Sequence, residues 1–381
     1  MERGSNLKIC FVVEGYPTAK DPYMAFIKNT VAEMAKQGVT CTVIAPQSIT
    51  RAIKHKVPVR PTNWNDKISR DESINILQPR YITLSGRAKR INQFLFIHAA
   101  KGAYRKLSQT PDALYSHFWH MGVVASKMDR SKPLFVACGE SKISVLKEYS
   151  YQDTSKMLQQ LSGVIYVSTK SYEESKELGL QKENPYIIAS NGYDPSLFTT
   201  KSKRECRKTL GWPDDVFIVA FVGAFVERKG ARRLSNALTK INETSPVYSC
   251  FIGSGEEQPT CPNVLFAGSV DHNTISTYLN AADVFVLPTQ NEGCCNAIIE
   301  AMACGLPIIS SNGSFNDDLL NENNSIRINP VDEEEIKESI LSLKDDPERR
   351  TEMQLASLKK ANELTIEKRI KKLLSFLEKT I

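Results

Sequence analysis

The chain has 381 residues, long enough for two domains that each bury a core of their own. Apolar residues make up 41% and charged residues 24%, the balance of an ordinary globular protein, which argues against a disordered or fibrous chain. The longest apolar run, VFIVAFVGAFV at 216–226, is too short to cross a bilayer and reads as a buried strand.

The formal charge of +6 is unevenly spread. Segment 51–106 holds thirteen basic residues against Asp66, Asp71 and Glu72, a net +10. Such a segment attracts an anionic surface: membrane phospholipid, a phosphorylated acceptor or nucleic acid. Nucleic acid is not expected, because no recognised module accompanies the charge and aromatic residues there are few. The N-terminus, MERGSNLKIC, has no apolar signal region, so secretion is not expected. Nine cysteines, an odd number without a Cys-x-x-Cys pair, read as reduced thiols of a cytoplasmic protein.

Along the chain, short apolar strands alternate with amphipathic helices. KICFVVE is followed by a helix in which Ile27, Val31, Met34 and Ala35 form one stripe, with Gly38 placed to end it. CTVIAP is the next strand. After the basic segment the pattern predicts a long helix near 87–107 and then the strands ALYSH, PLFVACG, VIYVS and YIIAS. A polar stretch containing Pro195 and Pro213 reads as a hinge. A second series follows: VFIVAFVG, VYSCFIG, VLFAG, VFVLP and PIISS. The tail from Asp332 is helical and charged, broken at Pro347, and ends in a stripe of Ile366, Ile370, Leu373, Leu374 and Leu377. Strands alternating with helices predict parallel sheets covered on both faces. The expected fold is α/β: an N-terminal Rossmann-like domain (1–198), a C-terminal one (199–363), and a terminal helix (364–381) returning to the first.

Ligands of open parallel sheets lie beyond the carboxyl ends of the strands. His117, Ser168, Arg228, Lys229 and Glu292 all fall at such ends. In NEGCCNAIIEAMACGLPIIS a helix is expected to start near Gly293. The backbone amides of Gly293, Cys294, Cys295 and Asn296 would then carry partial positive charge, and small side chains would let an anion approach. A diphosphate is the natural guest, with Lys229 supplying a full charge. Glu300 lies eight residues beyond Glu292, roughly 12 Å along a continuous helix. Glu300 would suit a ribose on one side of the diphosphate and Glu292 a sugar ring on the other. Cys294 and Cys295 are read as small residues contributing amides, because no His or Cys partner lies at metal-ligand spacing. The first strand lacks Gly-x-Gly-x-x-Gly, which argues against a dinucleotide-dependent dehydrogenase.

EGCCNAIIEAMACGLPII resembles the donor-binding signature of retaining glycosyltransferase family 4. FVGAFVERKG is similar to that family's glycine-lysine phosphate loop, ASNGYDPSLF to its Asn-Gly-x-Asp segment, and YSHFWHMG to its N-domain histidine segment. The resemblance implies the GT-B fold, two Rossmann-like domains with parallel sheets facing across a cleft. It implies a hexosyltransferase that uses a nucleotide-diphospho-sugar, UDP-linked by expectation, as co-substrate, with no obligatory cofactor or metal. Glu300 would hold the ribose. Lys229 and the amides of 293–296 would hold the diphosphate, with Asn191 and Arg228 nearby, Glu292 beside the transferred ring, and His117 touching the sugar. His120 receives no role. Base specificity would rest on backbone contacts around Gly268–Val270. The expected acceptor is a glycan or lipid-linked precursor of a surface polysaccharide, with segment 51–106 holding the protein peripherally at an anionic membrane. Two departures stand out: Ala224 where the family carries Arg, and EGYPTAKDPY where it often has a Gly-Gly acceptor loop. Ala224 motivates a rival reading, a catalytically inactive GT-B partner or scaffold. A nucleotide-sugar epimerase is a further alternative, against which the Glu-x7-Glu signature speaks.

Overall fold

The central parallel strands, Ala113–His117 and Leu134–Cys138 in one half and Ile218–Val222, Val284–Leu287 and Ile308–Ser311 in the other, are short and buried throughout, so each needs helices on its two faces. The computed structural model describes residues 7–17, 24–68, 72–84 and 88–381. Arg70 and Arg87 of the basic segment, Asp71, and positions 18–23 of EGYPTAKDPY lie outside the described residues. The chain divides into two compact units, Met1–Val167 with Ser171–Ala189 and Ile370–Ile381, and Ser168–Lys170 with Ser190–Arg369.

The first unit holds strands β1 (Lys8–Val12), β2 (Thr40–Ile44), β3 (Gln47–Ser48), β4 (Asn63–Lys67), β5 (Ser73–Leu77), β6 (Arg80–Tyr81), β7 (Ala113–His117), β8 (Leu134–Cys138), β9 (Leu161–Tyr166) and β10 (Tyr186–Ile188). Eight of them form one sheet in the order β10-β9-β8-β7-β1-β2-β5-β4, and β3 pairs with β6 beside it. Among the described strands only β4 runs antiparallel, registered on β5 through Trp64 and Ile76. The strand order reverses between β1 and β7, which puts the residues after Val12 and His117 at the switch point.

The second unit holds β11 (Ile218–Val222), β12 (Tyr248–Ile252), β13 (Val264–Gly268), β14 (Val284–Leu287), β15 (Ile308–Ser311) and β16 (Ser325–Ile328). All are parallel, in the order β13-β12-β11-β14-β15-β16. Counted within the unit this is 3-2-1-4-5-6, the doubly wound order, with its switch point between β11 and β14. Its core joins Phe221, Phe225 and Phe251 to Leu234, Leu238 and Ile241 of the helix Ala231–Asn242. Each such burial contributes about 1.5–3 kcal/mol.

The helix Ala25–Lys36 buries Ile27, Val31, Met34 and Ala35, and Gly38 follows it at φ 91, the left-handed conformation that suits glycine. The long helix spans Lys89–Tyr104. The tail forms three helices, Glu333–Asp345, Pro347–Asn362 and Ile366–Thr380. Asp332 and Asp346 cap the first two through their side chains, and Pro347 sits in the first turn of the second, where no amide is needed. From Ile370 onward the last helix belongs to the first unit, where Phe376 meets Phe135 edge-on at 6.0 Å. No described helix is long and apolar enough to cross a membrane.

Candidate active site

At the switch point of the second sheet two loops meet. After β11 the chain makes a 3-10 turn, Glu227–Lys229, closed by Gly230 at φ 80. A Cβ on Gly230 would lie 2.6 Å from the Pro288 carbonyl oxygen, so only glycine lets this turn press against the loop after β14. Arg233 fastens the same contact, donating to the carbonyls of Glu227 and Pro288 at 2.7 and 2.8 Å. The Gln290 amide donates to the Arg228 carbonyl at 2.9 Å. Gly223 lies beside the Lys229 side chain, whose Cδ would stand in ordinary contact, 3.6 Å, with a Cβ placed there.

These contacts bring the two loops' charged residues together. Glu292 is buried, and its Oε1 receives Lys229 Nζ at 2.6 Å, Arg228 Nη1 at 2.9 Å and the Thr289 hydroxyl at 2.7 Å. Arg228 Nη1 also donates to the Asn291 carbonyl. Arg228, the residue closest in kind to the guanidinium missing at Ala224, is thus committed to the Glu292 loop in this state.

The helix expected from Gly293 begins later, at Asn296, and runs to Ala303. Cys295 is its N-cap with extended backbone (φ −86, ψ 103), and the Ile299 amide makes the first return bond, to the Cys295 carbonyl. The reason lies in tertiary contacts on residues 289–294. Thr289 holds Glu292, and the Asn191 amide donates to Cys294 Sγ at 3.4 Å, so these residues turn instead of coiling. Asn191 Nδ2 also donates to Asn296 Oδ1 at 2.8 Å, fixing the hinge segment to the helix start. The amides left without intrahelical partners are therefore those of Asn296, Ala297 and Ile298, and Gly293 and Cys294 lie in the bend before them. The helical spacing of Glu292 and Glu300 fails for the same reason, since Glu300 is only the second turn's first residue.

Glu300 is buried, and its Oε1 lies 2.9 Å from His272 Nε2. His272 packs edge-on against Phe198 at 5.2 Å. The hydrogen bond to Glu300 raises the His272 pKa above its ordinary value; burial opposes the rise, while the charges of Glu300 and Asp194 add to it. His272 was not among the expected site residues. It follows β13, so the strand-end rule that selected Glu292 also reaches it.

Lys229 and Glu292 both act on the Cys295 thiol, in opposite directions, which places the ion pair beside the helix N-cap. Burial pushes the Cys294 thiol up to about 12 and the Cys295 thiol up to about 11. Both are therefore neutral thiols, unsuited to nucleophilic attack near neutral pH. In the first unit, His117 is buried at the end of β7 between the rings of Phe26 and Phe118, at 4.8 and 4.7 Å. His120 Nε2 stands 3.7 Å from Glu14.

The second unit is a doubly wound sheet with two cations, a buried carboxylate and a helix N-terminus at its switch point, and the first unit repeats its topology. Together these are the two Rossmann-like halves of a GT-B protein. Residues 202–360 match the family described as glycosyl transferases group 1. That match and the relatives that follow support a glycosyltransferase enzyme with the GT-B fold. Over 355 residues, 88% of each chain, it is 28% identical to a Bacillus subtilis (strain 168) protein named as a teichuronic acid biosynthesis glycosyltransferase, TuaC. Over 182 residues it is 28% identical to a GDP-mannose-dependent monoacylated alpha-(1-6)-phosphatidylinositol monomannoside mannosyltransferase of Corynebacterium glutamicum, covering 43% of this chain and 48% of that one. Among solved structures it resembles sucrose-phosphate synthase from Thermosynechococcus elongatus, with a TM-score of 0.79, 18% identity and 98% of both chains covered. It also resembles Anabaena HepE in complex with UDP, with a TM-score of 0.71, 18% identity, and 98% and 100% covered.

Proposed function

We propose that this glycosyltransferase moves a hexose from a UDP-linked donor, with retention of anomeric configuration, to a glycan or lipid-linked acceptor of surface polysaccharide synthesis. The observation that carries the donor reading is the convergence of Lys229 and Arg228 on Glu292 beside the N-cap of the helix bearing Glu300. In this reading Lys229, Arg228 and the amides of Asn296 to Ile298 hold the diphosphate. Their fixed positive charge stabilises it as leaving group, with no metal required. A diphosphate oxygen then takes the proton of the acceptor hydroxyl as that hydroxyl attacks the same face of the sugar. Glu300 accepts from the ribose hydroxyls once His272 yields it, Glu292 stands by the transferred ring, and His117 is a further sugar contact. The Anabaena neighbour bound to UDP supports the nucleotide, and the Corynebacterium relative's name makes GDP the competing outcome.

Peripheral attachment to an anionic membrane is part of the proposal. Exposed Ile53, Ile82 and Leu84 stand on the basic segment with Lys54 and Lys56, the pairing of apolar and cationic groups that favours a lipid surface. Calorimetry with UDP, GDP and their sugars tests the donor site, followed by proton NMR of the released sugar to read its anomer. Binding of UDP that is lost in both Lys229→Ala and Glu300→Ala supports the assignment. Unchanged affinity in both variants would refute it.

A further inference from the structure

Two cavities belong to the first unit, and no donor-loop residue lines either of them. One, of about 920 Å³, opens at the carboxyl ends of β1, β2 and β6, where Glu14, Gln47 and Tyr81 line it with Arg51 and Lys89. The other, of about 1250 Å³, runs beside the helix Lys89–Tyr104. Lys89, Gln93, Glu148 and Tyr149 line both, so the two adjoin along one continuous trough.

The second cavity is strongly one-signed. Lys89, Arg90, Lys101, Lys127, Arg130 and Lys147 line it against two carboxylates, Glu148 and Asp153. Asp153 is already held by Lys127 at 2.8 Å. Arg90, Lys101, Arg130 and Lys147 have no carboxylate partner among the described residues. Three of the six cations come from outside segment 51–106, so the fold gathers a charge the basic segment alone does not show. The wall also carries Phe94, 65% exposed and stacked on His98 at 6.0 Å, a ring face against which the C–H face of a pyranose packs.

We propose that this trough is the channel for an anionic glycan acceptor, a chain whose sugars carry carboxylate or phosphate groups. The inference rests on the glycosyl-transfer reading above and names its acceptor class. Repeated oxyanions lie along Arg90, Lys101, Arg130 and Lys147, and the chain's end enters the cavity at Glu14 and Tyr81. Arg90 and Lys101 are separated by roughly 17 Å along the helix, the reach of several sugar units. Cations set along the walls of a concave trough suit a threaded chain, whereas a bilayer presents a plane of headgroups.

The test titrates the full chain with a two-unit and a six-unit galacturonate, a phosphorylated hexasaccharide, maltohexaose and phosphatidylglycerol vesicles, with UDP titrated separately. Wild type should bind an anionic hexamer at least about tenfold more tightly than the two-unit acid or maltohexaose, the scale of one or two charge-assisted bonds. Arg130→Glu/Lys147→Glu should lose that binding and keep its UDP affinity. Whichever hexamer binds more tightly, the carboxylated or the phosphorylated, assigns the anion. Salt should weaken hexamer binding steeply in wild type, which gives a readout even if the double variant folds poorly. The proposal falls if neither anionic hexamer binds while UDP does, if charge reversal leaves hexamer binding intact, or if only vesicle binding responds to it. Failure of UDP to bind would instead overturn the donor reading, and this inference with it.

Discussion

Lys229 Nζ lies 2.6 Å from Glu292 Oε1, and both side chains are largely shielded from water. The cation that the donor reading assigns to phosphate is thus neutralised by a carboxylate in this state. Donor binding must compete with that pairing or share it. Glu292→Gln removes the competing charge while keeping an acceptor for Thr289. Its expected result is UDP affinity equal to wild type or several-fold tighter, combined with a clear loss of turnover. Lys229→Ala should instead weaken UDP by about ten- to a hundredfold, the scale of one charge-assisted hydrogen bond. Calorimetry against single-turnover kinetics separates the two. Tighter UDP binding in Lys229→Ala would contradict the scheme.

The His272–Glu300 pair gives a pH signature. The His272 pKa is raised above the unfolded value near 6.5, chiefly by its hydrogen bond to Glu300, with Glu300 and Asp194 charges adding against burial. The pair's stabilisation is therefore fully present below the unfolded pKa and lost as pH climbs through the folded one. The melting-temperature gap between wild type and His272→Ala should be larger at about pH 6 than at about pH 9. Donor binding, which needs Glu300 released, should follow the opposite trend in wild type and flatten in His272→Ala. Thermal melts and UDP titrations across pH check both. A gap that widens with pH would show that the charged pair is not what holds Glu300.

The sequence pattern made most of the parallel scaffold legible, because fully buried strands are continuous apolar runs that only a two-sided sheet accommodates. β4 and β5 were hidden inside the basic segment. β4, Asn-Trp-Asn-Asp-Lys, is polar, and it becomes a strand only through pairing with β5 and the seat of Trp64, edge-on to Tyr16 at 5.9 Å. β16, Ser-Ile-Arg-Ile, is too short to show a period. At the site, strand ends picked out Arg228, Lys229 and Glu292, and the eight-residue spacing from Glu292 added Glu300. Their pairing could not be read, since Arg228 and Glu292 are 64 positions apart and meet only because β11 and β14 are neighbours. The late helix start had the same cause: long-range contacts overrode a local propensity that favoured coiling from Gly293.

Gly230 tests whether the two donor loops act as one piece. Its φ is 80, and the Pro288 oxygen lies 2.6 Å from the point a Cβ would occupy, which leaves no room for Ala. Gly230→Ala should cost about 2–4 kcal/mol in chemical denaturation, combining left-handed strain with the steric clash. The Lys229 turn would move off the Glu292 loop, so UDP affinity should fall with it. Gly211→Ala, also at positive φ but with open space around it, controls for strain alone and should leave UDP binding unchanged. Equal effects of the two substitutions on UDP would mean that the loop contact does not shape the site.

Cys295 occupies the N-cap of the Glu300 helix without making a side-chain cap hydrogen bond. Serine is nearly the same size and accepts an amide proton far better than a thiol, and the Ala297 and Ile298 amides already face this side chain. Cys295→Ser should therefore raise stability by about 0.5–1 kcal/mol. Because the serine hydroxyl would compete for amides the donor reading gives to the diphosphate, UDP affinity should fall, by less than the tenfold that about 1.4 kcal/mol represents. Cys295→Val keeps the apolar bulk but offers no acceptor, and should lose stability where serine gains it. Denaturation midpoints of the two variants, read beside UDP titrations, distinguish a capping position from a reactive one: loss of turnover in Cys295→Ser with donor affinity and fold intact would show that the thiol itself takes part in the chemistry.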